Sequence, residues 1–282
     1  MPDHRIDLCG GKHSVLLIHG LTGSPFEMKY LAKRLNKAGF TVKGPCLEGH
    51  CTNLKDLSKT TWEDWYRSVR ESFLEMKKSS DSVSVVGLCM GALLSLHLSH
   101  EFGSEVAAVS LISTTLFYDG WSLPWYKFLL PISYHFPLRY FYSYVETEPY
   151  GIKNKPLRER IVGLMKNDSI AYPKTPATSL HELFKLIRQV KLELPGVKTP
   201  TLILHSKEDD LTSTKNPDYV EKKIGSQVIR KIILDDSYHM MTIDNQKDRV
   251  ADETIKFFQE QISSPLQTDL ETERFPLKRV SL

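Results

Sequence analysis

Cys89, Asp209 and His239 stand at places in this 282-residue chain where covalent acyl chemistry is possible. Cys89 lies in Gly87-Leu-Cys-Met-Gly91, after the apolar run Val83-Ser-Val-Val86 and before a segment rich in Ala and Leu. A strand that turns sharply into a helix at a nucleophile forces that residue into a strained backbone conformation. Side chains on either flank would collide, so both flanks are glycine. The following helix aims its N-terminus at the nucleophile, where partial positive charge favours a thiolate and then an oxyanion. An acid is expected after a late strand, and Thr201-Leu-Ile-Leu204 leads to Asp209. A histidine is expected after the last strand, and Ile232-Ile-Leu234 leads to His239. In this arrangement His239 takes the Cys89 proton, and Asp209 holds the imidazole in its tautomer and offsets its charge. The neighbours Glu208 and Asp210 are alternative acids, with Asp210 assigned to the turn and Leu211 to the pocket wall. Two backbone N–H groups are expected to receive the oxyanion, those of Met90 and of Leu21 after His19-Gly20. Gly20, Trp121 and Trp125 are the candidate substrate contacts.

The elements that must position these residues alternate. Ser14–Ile18, Phe40–Val42, Val83–Val86 and Val106–Ile112 read as strands, short apolar runs bounded by turn residues. Between them, Phe26, Met28, Leu31, Leu35 and Phe40 form one helical face, and Trp65, Val69, Phe73 and Met76 another. A third helix follows Gly91 to about Phe102. Strands alternating with helices predict a mostly parallel sheet with helices on both faces. The rhythm breaks over residues 114–195, which are rich in aromatics from Leu116 to Tyr150 and carry helical segments near 157–166 and 179–190. It resumes at Thr201–Leu204, a helix over 217–224, a strand over 228–234 and a helix over 247–261. The expected organisation is a core of 1–113 and 196–262, an inserted cap of 114–195 and a loose polar tail of 263–282.

Composition narrows the function. The net charge is +3, without a dense Lys/Arg stripe, which speaks against nucleic acid. The N-terminus lacks the basic and apolar pattern of a secretory signal, and no apolar run reaches the length of a membrane span. Four cysteines in a chain this long do not form a disulfide framework, so a reducing cytoplasm is expected. Cys46, His50 and Cys51 match no standard zinc spacing, and the two thiols are read as solvated or packed. No metal or cofactor is implied. His19 and His50 are read as loop-bracing residues. The aromatic stretch Trp121–Tyr144 is read as cap packing, with an apolar face toward lipid or a carrier partner as the alternative.

Six segments carry a family resemblance: LIHGLTGSPFEM at 17–28, GPCLEGHCT at 44–52, TTWEDWY at 60–66, GLCMG at 87–91, KEDDL at 207–211 and SYHMMTIDNQKD at 237–248. In them the chain resembles the carboxylesterase and monoacylglycerol-lipase branch of the α/β-hydrolases, the serine aminopeptidase S33/hydrolase type. The resemblance implies an α/β-hydrolase fold with a mostly parallel, doubly wound sheet and an inserted helical cap that shapes the acyl pocket. It implies Asp209 as the acid, His239 as the base, and Leu21 and Met90 as oxyanion donors. Two departures stand out. The family usually has serine at position 89, and its glycine-rich loop usually has glycine at position 51.

A thiol nucleophile forms a thioester acyl-enzyme, which is more reactive toward amines and thiols than an oxygen ester. The expected activity is hydrolysis of a carboxylic ester or thioester of short to medium acyl chain. The alternative is transfer of an acyl or aminoacyl group to a thiol or amine acceptor, such as an acyl-carrier protein. Polyhydroxyalkanoate synthases and aminoacyl shuttles transfer from such a cysteine, whereas dienelactone hydrolases use one to hydrolyse. A third reading is a serine esterase in which the cysteine is engineered or marks decay.

Overall fold

The computed structural model describes residues 4–122, 142–165 and 170–263. Its main sheet has seven strands in the order β1-β3-β2-β4-β5-β8-β9. They are β1 (Ile6–Leu8), β2 (His13–Ile18), β3 (Thr41–Gly44), β4 (Ser82–Leu88), β5 (Val106–Ile112), β8 (Thr201–Ser206) and β9 (Ile229–Leu234). The edge strand β1 pairs antiparallel with β3, and every other pairing is parallel. A second sheet pairs β6 (Ser143–Val145) with β7 (Lys174–Pro176).

The helices follow the alternation: α1 (Lys29–Lys37), a short α2 (Leu54–Leu57), α3 (Trp62–Lys77), α4 (Met90–Phe102), α5 (Lys155–Met165), α6 (Ala177–Glu193), α7 (Lys215–Lys223) and α8 (Lys247–Ile262). Side chains alternate across a strand, so a sheet covered on both faces has two cores. In β2, Leu16 and Ile18 join a cluster with Trp65, Phe73 and Leu183 from α3 and α6. Val15 and Leu17 join the opposite cluster with Leu31, Leu35, Phe257 and Phe258 from α1 and α8. This is the mostly parallel, doubly wound sheet of the α/β-hydrolase fold.

Two details depart from the sequence reading. β1 has only three residues and no periodic face, so it gave no strand signal. The segment expected to begin a helix at Phe26 first forms a 3₁₀ turn, Pro25–Met28, and α1 starts at Lys29. Ser24 caps that turn by accepting the Phe26 N–H, and Pro25 suits its first position.

Between β5 and β8 the chain leaves the sheet and carries β6, α5, β7 and α6. Ile152, Ile161, Met165 and Ile170 of this insertion make a small apolar cluster with Phe26 and Ile243 of the core. Trp125, most of the aromatic stretch and the tail beyond Ser263 lie outside the described residues. No described helix is long and apolar enough to cross a membrane.

Candidate active site

Cys89 separates β4 from α4 with φ 56° and ψ −112°, an unfavourable conformation for a residue with a Cβ. Packing explains both glycines. A Cβ on Gly87 would stand 2.1 Å from the Gly91 carbonyl oxygen, and a Cβ on Gly91 would stand 2.1 Å from that of Ile18. The Cys89 N–H is tied to the Ile112 carbonyl at 2.9 Å, which locks the turn to the end of β5. Thr115 Oγ1 lies 3.3 Å from Cys89 Sγ, a neighbour that sequence reasoning missed.

The structure brings His239 and Asp209 together. His239 Nδ1–H donates to Asp209 Oδ2 at 2.8 Å and Oδ1 at 3.0 Å. Asp209 is fixed by its own turn: Oδ1 accepts the N–H groups of Leu211 and Thr212, and Oδ2 accepts the Thr212 hydroxyl. Burial alone would raise the Asp209 pKa, but the His239 charge and these hydrogen bonds hold it below the ordinary carboxylate range. Burial likewise works against the His239 cation. Asp209 and Cys89 outweigh it, and the imidazole stays protonated well above its usual pKa. Its Nε2 is buried and makes no formed hydrogen bond among the described residues, and it is near enough to Cys89 to be coupled to it.

Neighbours of Asp209 and His239 have supporting places. Asp210 accepts the backbone N–H of His239 at 3.3 Å and that of Gly151 at 3.2 Å, so it joins the histidine loop to the insertion. Ser113 Oγ donates to the His239 carbonyl at 2.7 Å. Glu208 faces Lys153 instead.

On the other side of Cys89, His19 organises the turn that carries Leu21. Its Nδ1–H donates to the Gly20 carbonyl at 2.8 Å, and its Nε2 accepts the Leu47 N–H at 3.3 Å. In a trans peptide the carbonyl and the following N–H point opposite ways. Holding the Gly20 oxygen on the His19 side therefore turns the Leu21 N–H away from it. Burial without a counter-charge lowers the His19 pKa to about 4, so the ring is neutral, as this bonding requires. His50 packs edge-on against His19 at 4.9 Å and closes its own loop through the Glu48 carbonyl. Met90 opens α4, where its N–H has no intrahelical partner.

The reading of Cys46 and Cys51 as thiols is corrected. They form a disulfide, with Cα atoms 6.1 Å apart. The turn between them, in which the His50 N–H donates to the Leu47 carbonyl, brings the two positions opposite each other. Cys51 has φ 59°, the left-handed conformation that suits the glycine usual at this position. The free thiols are those of Cys9 and Cys89.

A cavity of about 550 Å³ opens beside Cys89 and His239. Gly20 and Leu21 line it from the core, and the insertion closes it with Tyr142–Thr147, Tyr150, Ile161, Met165 and Leu180. Its size and largely apolar wall suit a small organic ligand. Trp121, expected at the substrate, is instead 61% exposed, rests on Tyr238 and donates from Nε1 to the Glu208 carbonyl. It lies on the surface because the Gly120 and Ser122 N–H groups bind the Leu211 and Asp210 carbonyls and draw the segment along the outside of the acid loop. Trp125 cannot be placed, being outside the described residues. Glu27 and Glu146 line the cavity and were not singled out in the sequence, where each reads as an ordinary surface acid. Among the described residues no cluster of His, Cys, Asp and Glu could hold a metal ion.

Comparison with known proteins places the chain in a family. A family model described as serine aminopeptidase, S33, matches residues 11–246. The chain is 31% identical over 248 residues to the thermostable monoacylglycerol lipase of Bacillus sp. (strain H-257), covering 88% of this chain and 91% of that protein. It is 25% identical to a carboxylesterase of Bacillus subtilis (strain 168), covering 89% of this chain and 94% of that one. A solved structure from the work on LipS and LipT, two metagenome-derived lipolytic enzymes, superposes with a TM-score of 0.77 at 26% identity, covering 91% and 97% of the two chains. The monoacylglycerol lipase of Paleococcus ferrophilus superposes with a TM-score of 0.75 at 15% identity, covering 91% of this chain and 98% of that one, a likeness of fold. By the family model matched over most of its length and by its 31% identity to the monoacylglycerol lipase, the chain belongs to the serine aminopeptidase S33 family of α/β-hydrolases.

Proposed function

We propose that the protein is a carboxylic ester hydrolase that works through a thioester acyl-enzyme at Cys89, with His239 as base and acid and Asp209 as its orienting partner. The observation that carries this reading is the buried His239–Asp209 pair electrostatically coupled to a cysteine held at positive φ. Lipase and esterase relatives support the reaction class. The proton shared by the pair rests on His239, and the Cys89 thiolate attacks the ester carbonyl carbon. The carbonyl oxygen becomes an oxyanion that takes the N–H groups of Leu21 and Met90. As it collapses, the C–O bond to the alcohol breaks and the imidazolium returns a proton to the departing oxygen. Water then attacks the thioester with His239 as base, releasing the acid and restoring the thiol. The cavity volume and its apolar wall suit an acyl chain of short to medium length.

Cys89 itself favours a second reading. A thioester yields readily to amine or thiol acceptors, so thioester cleavage or acyl transfer, including transfer to an acyl-carrier protein, shares the first half of this sequence. The cap role of 114–195 belongs to the same reading, whereas the Cys46–Cys51 disulfide removes the ground for expecting a reducing cytoplasm.

Intact-protein mass during turnover of a chain-length series of p-nitrophenyl esters tests the proposal. The expected result is a burst of nitrophenol with an acyl adduct mapped to the Cys89 peptide, absent from Cys89→Ala. Turnover in Cys89→Ala equal to that of the parent protein would overturn it. Addition of amines and thiols separates the readings: conjugate replacing free acid supports transfer, and free acid at every acceptor concentration supports hydrolysis.

A further inference from the structure

The cavity has a corner that cleavage of a plain fatty ester leaves unused. Glu27, on the 3₁₀ turn, is only 8% exposed yet reaches the cavity wall. Its Oε2 accepts the Gly20 N–H at 3.1 Å. Its other oxygen occupies the space that glycine leaves at position 23, where a Cβ would stand 1.8 Å from Oε1 in this conformation. Glu146 follows β6 and reaches the same cavity from the insertion, with Oε1 accepting the Thr175 hydroxyl at 2.8 Å. Each carboxyl is thus oriented through one oxygen. The second oxygen of each, Glu27 Oε1 and Glu146 Oε2, has no hydrogen-bond or ion-pair partner among the described residues.

The missing element is a cation. No lysine or arginine is among the described residues that line the cavity, and its remaining ionisable groups there, apart from tyrosines and Cys89, are Asp210 and His239. The positive charge of His239 is paired with Asp209 and only partly offsets the burial of Glu27 and Glu146. Glu27 is buried and Glu146 half-buried, and a carboxylate taken from water is ordinarily paired, because an isolated charge is costly to bury. Burial outweighs the His239 charge and the one hydrogen bond of each carboxyl, pushing the Glu27 pKa up to about 7 and raising that of Glu146 as well. The rest of the wall is suited to positive charge. Phe26, Tyr142, Tyr144 and Tyr150 line it, and the Tyr142 and Tyr144 rings meet edge-on at 4.8 Å. Aromatic faces beside carboxylates attract alkylammonium groups without requiring them to shed an apolar surface.

We propose that Glu27 and Glu146 form a specificity site for an ammonium group, so that the substrate is an ester carrying a positive charge in its alcohol or its acyl part. This rests on the ester hydrolase reading above and adds the substrate class to it. Two oriented carboxylate oxygens take the N–H groups or the charge of the ammonium, and the tyrosine faces cover its carbon substituents.

Steady-state kinetics on paired isosteres test it. One pair is choline butyrate and its neutral analogue with carbon in place of nitrogen. The other is the methyl esters of aminohexanoate and heptanoate, and monobutyrin serves as a neutral polyol ester. The expected result is a kcat/KM about 10- to 100-fold higher for the charged member of one pair, which also says which half of the ester carries the charge. Glu27→Gln and Glu146→Gln should each shrink that ratio by about tenfold. The ratio is the readout, so a general loss of activity in a variant does not imitate the effect. Equal rates within both pairs would overturn the proposal, as would a preference for monobutyrin over the charged esters. Either result leaves the hydrolase reading standing. Failure of every ester to acylate Cys89 would sink that reading first, and is separately visible by mass.

Discussion

Two buried histidines flank Cys89 and titrate in opposite directions. His239 faces a carboxylate and stays protonated above its usual range, although burial opposes it. His19 faces a backbone carbonyl and a backbone N–H, and burial lowers its pKa to about 4. Depth in the protein is not the difference, since both are buried. The partner decides. A formal negative charge keeps His239 protonated above its usual range. Two uncharged partners turn His19 into a fixed bracket that uses one nitrogen as donor and the other as acceptor. One side of Cys89 therefore carries a charged, titratable pair and the other a neutral ring that holds a peptide still.

The sharpest way to break this contrast is to remove the charge from the His239 side. In Asp209→Asn the shape is retained, but the amide oxygen carries no formal charge and the imidazole can present the wrong tautomer. kcat should fall about 10,000-fold, as in other orienting-acid replacements. The rate of Cys89 alkylation by iodoacetamide should fall with it, because the thiolate loses its imidazolium partner. Label must be read at the Cys89 peptide, since Cys9 is exposed and also reacts. An unchanged alkylation rate would mean that the thiolate does not depend on this pair.

The His19 side should fail differently. His19→Ala frees the Gly20 carbonyl and leaves the Leu47 N–H without its acceptor, so the Leu21 N–H is no longer aimed. Loss of one oxyanion donor is worth about 100- to 1000-fold in kcat. KM and the alkylation rate of Cys89 should change little, because neither substrate binding nor the proton pair is touched. If alkylation slowed as much as turnover, His19 would belong to the proton-moving side and the contrast would collapse.

How much of this was legible depends on whether the signal is local. The turn at Cys89 is local: its two glycines are demanded by contacts of 2.1 Å, and they show in the sequence as the residues that flank it. Asp209 and His239 each follow a strand, so they too could be placed. Asp210 and Glu208 remained alternatives to Asp209 because adjacent acids look alike until a turn aims one of them, here through the N–H groups of Leu211 and Thr212. The carboxyls of Glu27 and Glu146 were not legible, since they meet only when the insertion folds over the core. β1 escaped because a three-residue edge strand is too short to show a period. Trp121 misled in the opposite way. A large aromatic beside the catalytic segment suggests a pocket wall, but two backbone hydrogen bonds to the acid loop carry it along the outside.

The Cys46–Cys51 bridge offers the smallest and most informative perturbation, because it acts on the His19 side without touching it. The bridge closes the loop that holds Leu47, whose N–H is the acceptor-side support of His19. Tyr172 of the insertion clips the same loop through the Gly49 carbonyl and the Thr52 N–H, so the loop has support besides sulfur. Loop-closure entropy for so short a ring is on the order of 2 kcal/mol. Cys46→Ser with Cys51→Ser, or exchange of the disulfide with a dithiol, should lower the unfolding free energy by about that amount. It should slow acylation by a few-fold, well short of the loss in His19→Ala, because Tyr172 still holds the turn. The alkylation rate at Cys89 should again stay level. A loss of turnover as large as that in His19→Ala would show that the bridge, rather than Tyr172, sets the position of Leu47. A matching loss of alkylation would show that the two sides of Cys89 are not separate.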